Sequence, residues 1–449
     1  ASQALTAAIA ADPKWRQADE TLLYLSRAQR GLKQLDVAKT TVSKLISDFP
    51  ESALLDQANF RLGEYNYTSG DYAAATAAYD AVIAKWSDSV FAPYASFGKG
   101  WSSLKAKQFP AGVASFTALI DKYPEHTLTP EAFLARGMCR RQTADFENAI
   151  KDLDGFLKTN PTQPQKSDAL YERGLAEVAL KKFEQATATL ESLLAENKEY
   201  ASAANVLYEL GWAYTNRNQP DDAVATFAKL AATYPDSPLA AEASLHVAES
   251  LYNKNEYAEA VKSYTMSKSK AAPGEVAERA VHKLGWAQFR LDKYDAALAE
   301  FDEQLKAYPD GSLVADGLFM RGECLFKLKR HKEAFEALTA ASKKPSADEQ
   351  KQVLTLLHGG QSAAQDGQWQ PSLQMLDQIA SKFPESPFRA EAIYERGFAK
   401  QNLKDLDAAI KDYELATELS RGEVGARGQF MVGSSSKRSS MRRSGPLSV

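Results

Sequence analysis

The sequence predicts an all-α protein built from stacked helical hairpins, and three observations carry that prediction. Small residues recur every thirty-seven positions at Gly63, Gly100, Gly137, Gly174, Gly211, Ala248, Gly285 and Gly322. A second small series follows twelve residues behind, at Ala38, Ala75, Gly112, Ala149, Ala186, Ala223, Ala260, Ala297, Ala334, Ser372 and Ala409. Four residues beyond each of these stands a large apolar side chain: Val42, Tyr79, Phe116, Leu153, Leu190, Phe227, Tyr264, Phe301, Leu338, Leu376 and Tyr413. A fixed period of this length, sustained along the chain, is the mark of a stacked repeat protein.

Within one repeat the spacing fits two amphipathic helices. The small residue of the first lets a neighbouring helix approach, and the large residue one turn after the second small position fills the gap. Neither helix buries its apolar face alone, so each hairpin depends on its neighbours. Between repeats the chain reads Phe49-Pro50, Tyr123-Pro124, Tyr234-Pro235, Tyr308-Pro309 and Phe383-Pro384. The proline ends the second helix. Ser52, Ser237 and Ser386 then stand where a hydroxyl can accept from the next helix's free N–H groups, with Pro238 and Pro387 expected at the first helical position. No alternating run joined by an Asn-Gly turn argues for a sheet.

Counting the period in both directions gives half a repeat at 1–13, eleven repeats over 14–421 and the start of a further first helix at 422–433. The chain is thus expected to begin within a repeat, as a processed or truncated product would, and to form one continuous domain over 1–433. Ser434–Val449 leaves the pattern for Ser, Lys and Arg and is expected to be a disordered, solvated tail. Lys343–Pro371 also departs from the rule: the step from Gly322 to Gly360 is one residue longer, and Gly359-Gly360 falls inside a helical segment. Each glycine weakens a helix by about 1 kcal/mol relative to Ala. That leaves two readings of the stretch, an intact stack with a drifted repeat and a soft joint.

The pattern of small, aromatic and proline positions, including Tyr208, Leu210, Gly211, Ala213, Tyr214, Ala223, Phe227 and Pro235, resembles the tetratricopeptide repeat (TPR) superfamily over nearly the whole chain. The resemblance implies a right-handed α-α superhelix, a TPR solenoid of about eleven helix-turn-helix repeats. The usual repeat has 34 residues. The three extra residues lie between the proline and the next small position, which predicts a first helix longer by about one turn. This long form, with Phe/Tyr-Pro-Glu/Asp-Ser before the helix, is similar to TPR proteins of the bacterial cell envelope, namely the Tol-Pal-associated coordinator and the outer-membrane-assembly lipoprotein. It implies a periplasmic or envelope location, although the chain carries no signal segment.

Composition bounds the function. Hydrophobic residues make up 44% and charged residues 25%, the net charge is −4, and no apolar run is long enough to cross a membrane. Acidic and basic residues are interspersed, which argues against a nucleic-acid partner. Cys139 and Cys324 occupy small-residue positions five repeats apart, too far for a disulfide. His126, His246, His282, His331 and His358 have no metal-ligand spacing, so no metal and no cofactor are expected. No phosphate loop, nucleophile elbow or carboxylate pair stands out, and no enzyme is expected.

What remains is a binding surface. The resemblance places first helices along a concave groove, with the residue after each small position facing inward: Arg27, Glu64, Trp101, Met138, Leu175, Trp212, Glu249, Trp286, Glu323, Gln361 and Phe398. This row contains no Asn, against the carboxylate clamp of the chaperone-binding TPR modules. Its candidate anchors for a protein or peptide partner are Trp101, Trp212, Trp286 and Phe398, extended one turn on by Tyr67, Tyr252, Phe289 and Phe326. These rings either pack between adjacent first helices or present a groove. The expected function is therefore a non-enzymatic interaction scaffold. Two alternatives are a module that self-associates end to end through Tyr413, Ala416 and Phe430, and the regulatory arm of a larger protein.

Overall fold

The computed structural model describes residues 1–344 and 348–443, with side chains through Ser435. Every regular element among the described residues is an α-helix, arranged in two compact units, Ala1–Ala223 and Val224 onward. The first unit contains α1 (Ser2–Ala11), α2 (Ala18–Gly31), α3 (Leu35–Asp48), α4 (Leu55–Thr68), α5 (Tyr72–Lys85) and α6 (Ala92–Lys105). It continues with α7 (Phe109–Lys122), α8 (Thr129–Gln142), α9 (Phe146–Leu157), α10 (Gln163–Ala179), α11 (Phe183–Glu196) and α12 (Ala203–Asn216). The division falls within α13 (Pro220–Thr233). The second unit contains α14 (Ala240–Asn253), α15 (Tyr257–Lys270), α16 (Glu275–Arg290), α17 (Tyr294–Ala307) and α18 (Val314–Lys327). Then come α19 (His331–Ser342), α20 (Glu349–Gln365), α21 (Trp369–Lys382), α22 (Arg389–Asn402), α23 (Leu406–Leu419) and α24 (Glu423–Arg443).

The two residue series meet inside each hairpin. A Cβ on Gly63 would come 2.4 Å from the ring of Tyr79, one on Gly100 2.5 Å from Phe116, and one on Gly174 2.4 Å from Leu190. In the second unit Gly285 faces Phe301, Gly322 faces Leu338, Gly360 faces Leu376 and Gly397 faces Tyr413. The large partners are fully or almost fully buried. The first helix therefore lacks a side chain where the second inserts one, and each such pair closes a hairpin.

A left-handed residue recurs in the turn inside every hairpin: Lys33, Gly70, Lys107, Ala144, Lys181, Asn218, Asn255, Asp292, Lys329, Gly367 and Lys404 all have φ between 57° and 81°. The next amide reaches back five residues, as in Asp145 N to Arg140 O at 2.9 Å and Lys182 N to Glu177 O at 2.8 Å. This C-terminal cap satisfies carbonyls that the first helix leaves free.

Between hairpins the structure departs from expectation. In most repeats the first helix is no longer than the second, as with α4 and α5 at 14 residues each, and the extra residues wind a six-residue turn instead. The first helices α10, α16 and α20 do run longer, at 17, 16 and 17 residues against 14 in α11, α17 and α21. Ser52, Ser237 and Ser386 do not cap the helix: each hydroxyl accepts from the amide two residues on, at 3.2, 3.3 and 3.2 Å, and the helix begins one residue after that amide's residue. Pro238 and Pro387 accordingly lie in the turn, before the helix starts. The Ser52 and Ser89 hydroxyls donate hydrogen bonds to Asp19 and Asp56 of the preceding hairpin, at 2.5 and 2.6 Å.

In the longer repeat α20 runs unbroken through Gly359-Gly360, which pack against Met375 and Leu376. The glycines admit neighbouring side chains, and Pro371 sits in the first turn of α21, where its missing N–H costs no hydrogen bond. Residues 345–347 of that stretch lie outside the described residues. The tail expected from Ser434 is helical as far as Arg443, because nothing in that segment, free of proline, stops a helix begun at Glu423. Ser444–Val449 lie outside the described residues. Tyr413 and Ala416, expected to be bare at a stack end, are buried in a cluster with Val424, Met431 and Val432 of α24, whereas Phe430 is 75% exposed.

Candidate functional site

The candidate site is a groove in the first unit, a cavity of about 630 Å³ across α2, α4, α6 and α8. Repetition brings these first helices side by side, and the sequence then departs from the repeat at one residue. Gly98 stands two positions before Gly100, where other first helices carry Arg61, Ala135, Glu172 or Glu209. A Cβ there would lie 2.5 Å from Tyr79 Cζ. The Tyr79 ring is thus held between Gly63 of α4 and Gly98 of α6, and it lines the groove from a position 3% exposed.

Aromatic rings form the rest of the wall. Phe60 stacks on Phe91 at 5.3 Å and meets Tyr94 edge-on at 6.2 Å. Phe97 and Trp101 are edge-to-face at 6.1 Å, and Trp101 also touches the buried Phe116 at 6.3 Å. Tyr67 leans on Tyr72 at 5.6 Å. Such pairs fix ring orientation at little entropic cost, because an aromatic side chain has two torsions. Tyr94 remains 43% exposed, and Phe97, Trp101 and Tyr67 are half-buried.

The groove's polar groups are unevenly used. Arg61 donates to Glu64 at 2.5 Å, and Gln165 donates to Glu131 at 2.9 Å. Arg30 and Lys105, the lining residues in the last turns of α2 and α6, are exposed and make no ion pair among the described residues. The Tyr79 hydroxyl has no hydrogen bond among them either. Burial first, then Glu64 and Tyr67, push its pKa up, so the phenol keeps its proton.

Of the eight residues singled out from sequence, Tyr67 and Trp101 line this groove. Trp212 is half-buried on α12, edge-on to Tyr208 at 6.3 Å. The other five belong to the second unit, where all are half-buried. Trp286 donates to Asp316 at 2.9 Å and has the Lys351 ammonium 5.7 Å above its ring. His282 and Lys351 also hold Asp316, and donation from His282, Lys351 and Trp286 outweighs burial to keep its carboxyl far below the usual range. Trp286 is thereby tied into a structural network. His358 covers Phe326 in a stack at 4.3 Å, Phe398 meets Trp369 at 5.7 Å, Phe289 meets Tyr294 at 5.2 Å, and Tyr252 meets Tyr257 at 5.1 Å. A second cavity, about 730 Å³, borders Asp316, Phe319, Lys351 and Thr355, and none of the eight lines it.

Sequence reading missed Phe60, Tyr94, Phe97, Arg30 and Lys105, and it treated Tyr79 only as filler. The signal was the second glycine in Gly98-Lys99-Gly100. Among the described residues no group of three or more His, Cys, Asp or Glu could hold a metal, and no helix is long and apolar enough to cross a membrane. Burial pushes the thiols of Cys139 and Cys324 up to about 12, which keeps them as packed, unreactive groups.

The comparisons agree with this architecture. Residues 23–90 and 390–423 match tetratricopeptide repeat models, and residues 195–358 match a tetratricopeptide repeat-like domain. The chain is a tetratricopeptide-repeat protein of the long-repeat form. Residues 91–247 match the model of YfiO, an outer membrane lipoprotein. No curated protein sequence matches. Similar solved structures include YrrB, described as a TPR protein with an unusual peptide-binding site, at 18% identity and TM-score 0.39 over 45% of this chain and 97% of that one. PilF of Pseudomonas aeruginosa is 18% identical with TM-score 0.37, covering 51% of this chain and 98% of its own. The apo form of RapI is 14% identical with TM-score 0.41, covering 73% and 97%.

Proposed function

We propose that this protein is a non-enzymatic interaction scaffold that holds a segment of a partner protein in the groove across α2, α4, α6 and α8. One observation carries the reading: Tyr67, Tyr94, Phe97 and Trp101 surround a single cavity while remaining only partly covered by their own fold. Rings held in this way offer a ligand apolar area without a large ordering cost, which is how binding hot spots work. Tetratricopeptide repeats are interaction modules, and the matches to such models support the same class. The likeness of residues 91–247 to an outer membrane lipoprotein supports a place in the bacterial cell envelope.

The test is a peptide array carrying nine-residue segments with a central Trp, Phe or Leu, probed with the full chain and with a Tyr67→Ala/Trp101→Ala variant whose helicity is unchanged by circular dichroism. A lost hot spot costs about 2 kcal/mol or more, roughly a thirty-fold weakening. Affinity unchanged in the double variant removes the groove from consideration.

A further inference from the structure

We infer that the segment this groove accepts carries a carboxylate beside its large apolar side chain, an inference that rests on the groove reading above and names its ligand chemistry. Two lining cations, Arg30 and Lys105, have no ion pair among the described residues, and beside them the hydroxyl of the buried Tyr79 has no hydrogen bond there. The lining carboxylates Glu64 and Glu131 already accept from Arg61 and Gln165.

Tyr79 makes this more than a count of surface charge. Its side chain is almost fully buried, and its hydroxyl has no hydrogen-bond partner among the described residues, so the O–H at the groove wall is left for water or a ligand. The ring reaches the groove wall only because Gly98 has no side chain, a feature that the other first helices of this unit lack. Arg30 and Lys105 belong to α2 and α6, two helix rows apart, with Tyr67 and Thr68 of α4 between them. A carboxylate near Tyr79 would accept a hydrogen bond from its O–H in a groove that also carries the Arg30 and Lys105 cations, while the nearby Glu64 charge is paired with Arg61. Such charge-assisted bonds are roughly twice as strong as neutral ones.

The experiment uses paired synthetic peptides on the full chain: a central Trp or Leu flanked by Asp or Glu, and the same peptides with Asn or Gln. Affinities are read for the wild type and for Tyr79→Phe, which keeps the ring in its two-glycine slot and removes only the hydroxyl. The acidic peptides are expected to bind at least tenfold tighter than their amides, and Tyr79→Phe and Lys105→Met each to shrink that ratio severalfold. Equal binding of acid and amide peptides overturns the inference and leaves the groove reading standing, with Arg30 and Lys105 serving only the carbonyl ends of their helices. An acid preference that survives in both variants also overturns it. If no peptide of either kind binds, both readings fall together.

Discussion

Glycines inside different helices do opposite work here, and single substitutions separate them. A methyl on Gly100 would meet the buried Phe116, whereas one on Gly155 in α9 meets nothing within 4 Å. Gly155→Ala should therefore stabilise the protein by about 1 kcal/mol through helix propensity. Gly100→Ala gains the same term but overpacks the hairpin at a cost of about 1–3 kcal/mol, and should melt no higher than wild type. Calorimetry of the pair checks the assignment. The period alone revealed Gly100, because a small residue recurs there; it could not reveal Lys181 and Ala144, which occupy the left-handed turn position with φ of 58° and 60°. A side chain in that conformation costs about 1–2 kcal/mol, so Ala144→Gly should raise stability by about 0.5–1 kcal/mol after glycine's own entropic cost. Sequence inspection treats Lys181 as an ordinary surface residue, because lysine, unlike glycine or asparagine, gives no sign of a left-handed turn. At Glu177, burial raises the carboxyl pKa, and one oxygen is buried without a partner. The folded state then binds the proton more tightly than the unfolded state, so this group favours folding at low pH and opposes it as pH rises past the ordinary glutamate range. Glu177→Gln should melt higher than wild type at pH 7, with the gap closing as pH falls below that range.

Helices are tied together by charge as well as by shape. Arg136 of α8 donates to Asp152 of α9 at 2.8 and 2.7 Å, Arg140 adds a third bond at 2.7 Å, and Arg136 and Asp152 are both buried. The same arrangement recurs near the other end, where Arg396 and Lys400 of α22 hold Asp412 of α23. Asp152→Ala would strand two guanidinium groups at a cost of about 3–5 kcal/mol, measurable as a lower denaturation midpoint. A smaller effect would mean that water already reaches the pair. A second regularity links one hairpin to the next: Lys99 with Asp80, Arg173 with Asp154, Arg321 with Asp302 and Arg396 with Asp377 are all nineteen residues apart. That spacing is present in the sequence, but it stands out only once the hairpins are seen to stack. The serine turns were misread for a related reason. A serine before an apolar run carries the same local signal whether the hydroxyl caps the helix or closes the turn ahead of it.

For the molecule as a whole, periodicity was enough to give the helical repeat class, because stacking repeats leaves little choice of partner for each helix. The candidate site was half legible. Tyr67 and Trp101 followed from their places in the repeat, but the same rule gave equal weight to Trp286 and Phe326, which Asp316 and His358 occupy. Position in a repeat says which face a residue belongs to; it does not say what a neighbour has already taken. The groove exists where the repeat is broken, at Gly98, and a periodic reading passes over such departures. The most direct test of a binding groove there is hydrogen exchange of the full chain with and without a saturating array-selected peptide. Slowed exchange concentrated in α4 and α6, around 60–68 and 94–105, is the predicted result. Protection confined to the second unit, or to helices that do not line the groove, would contradict it.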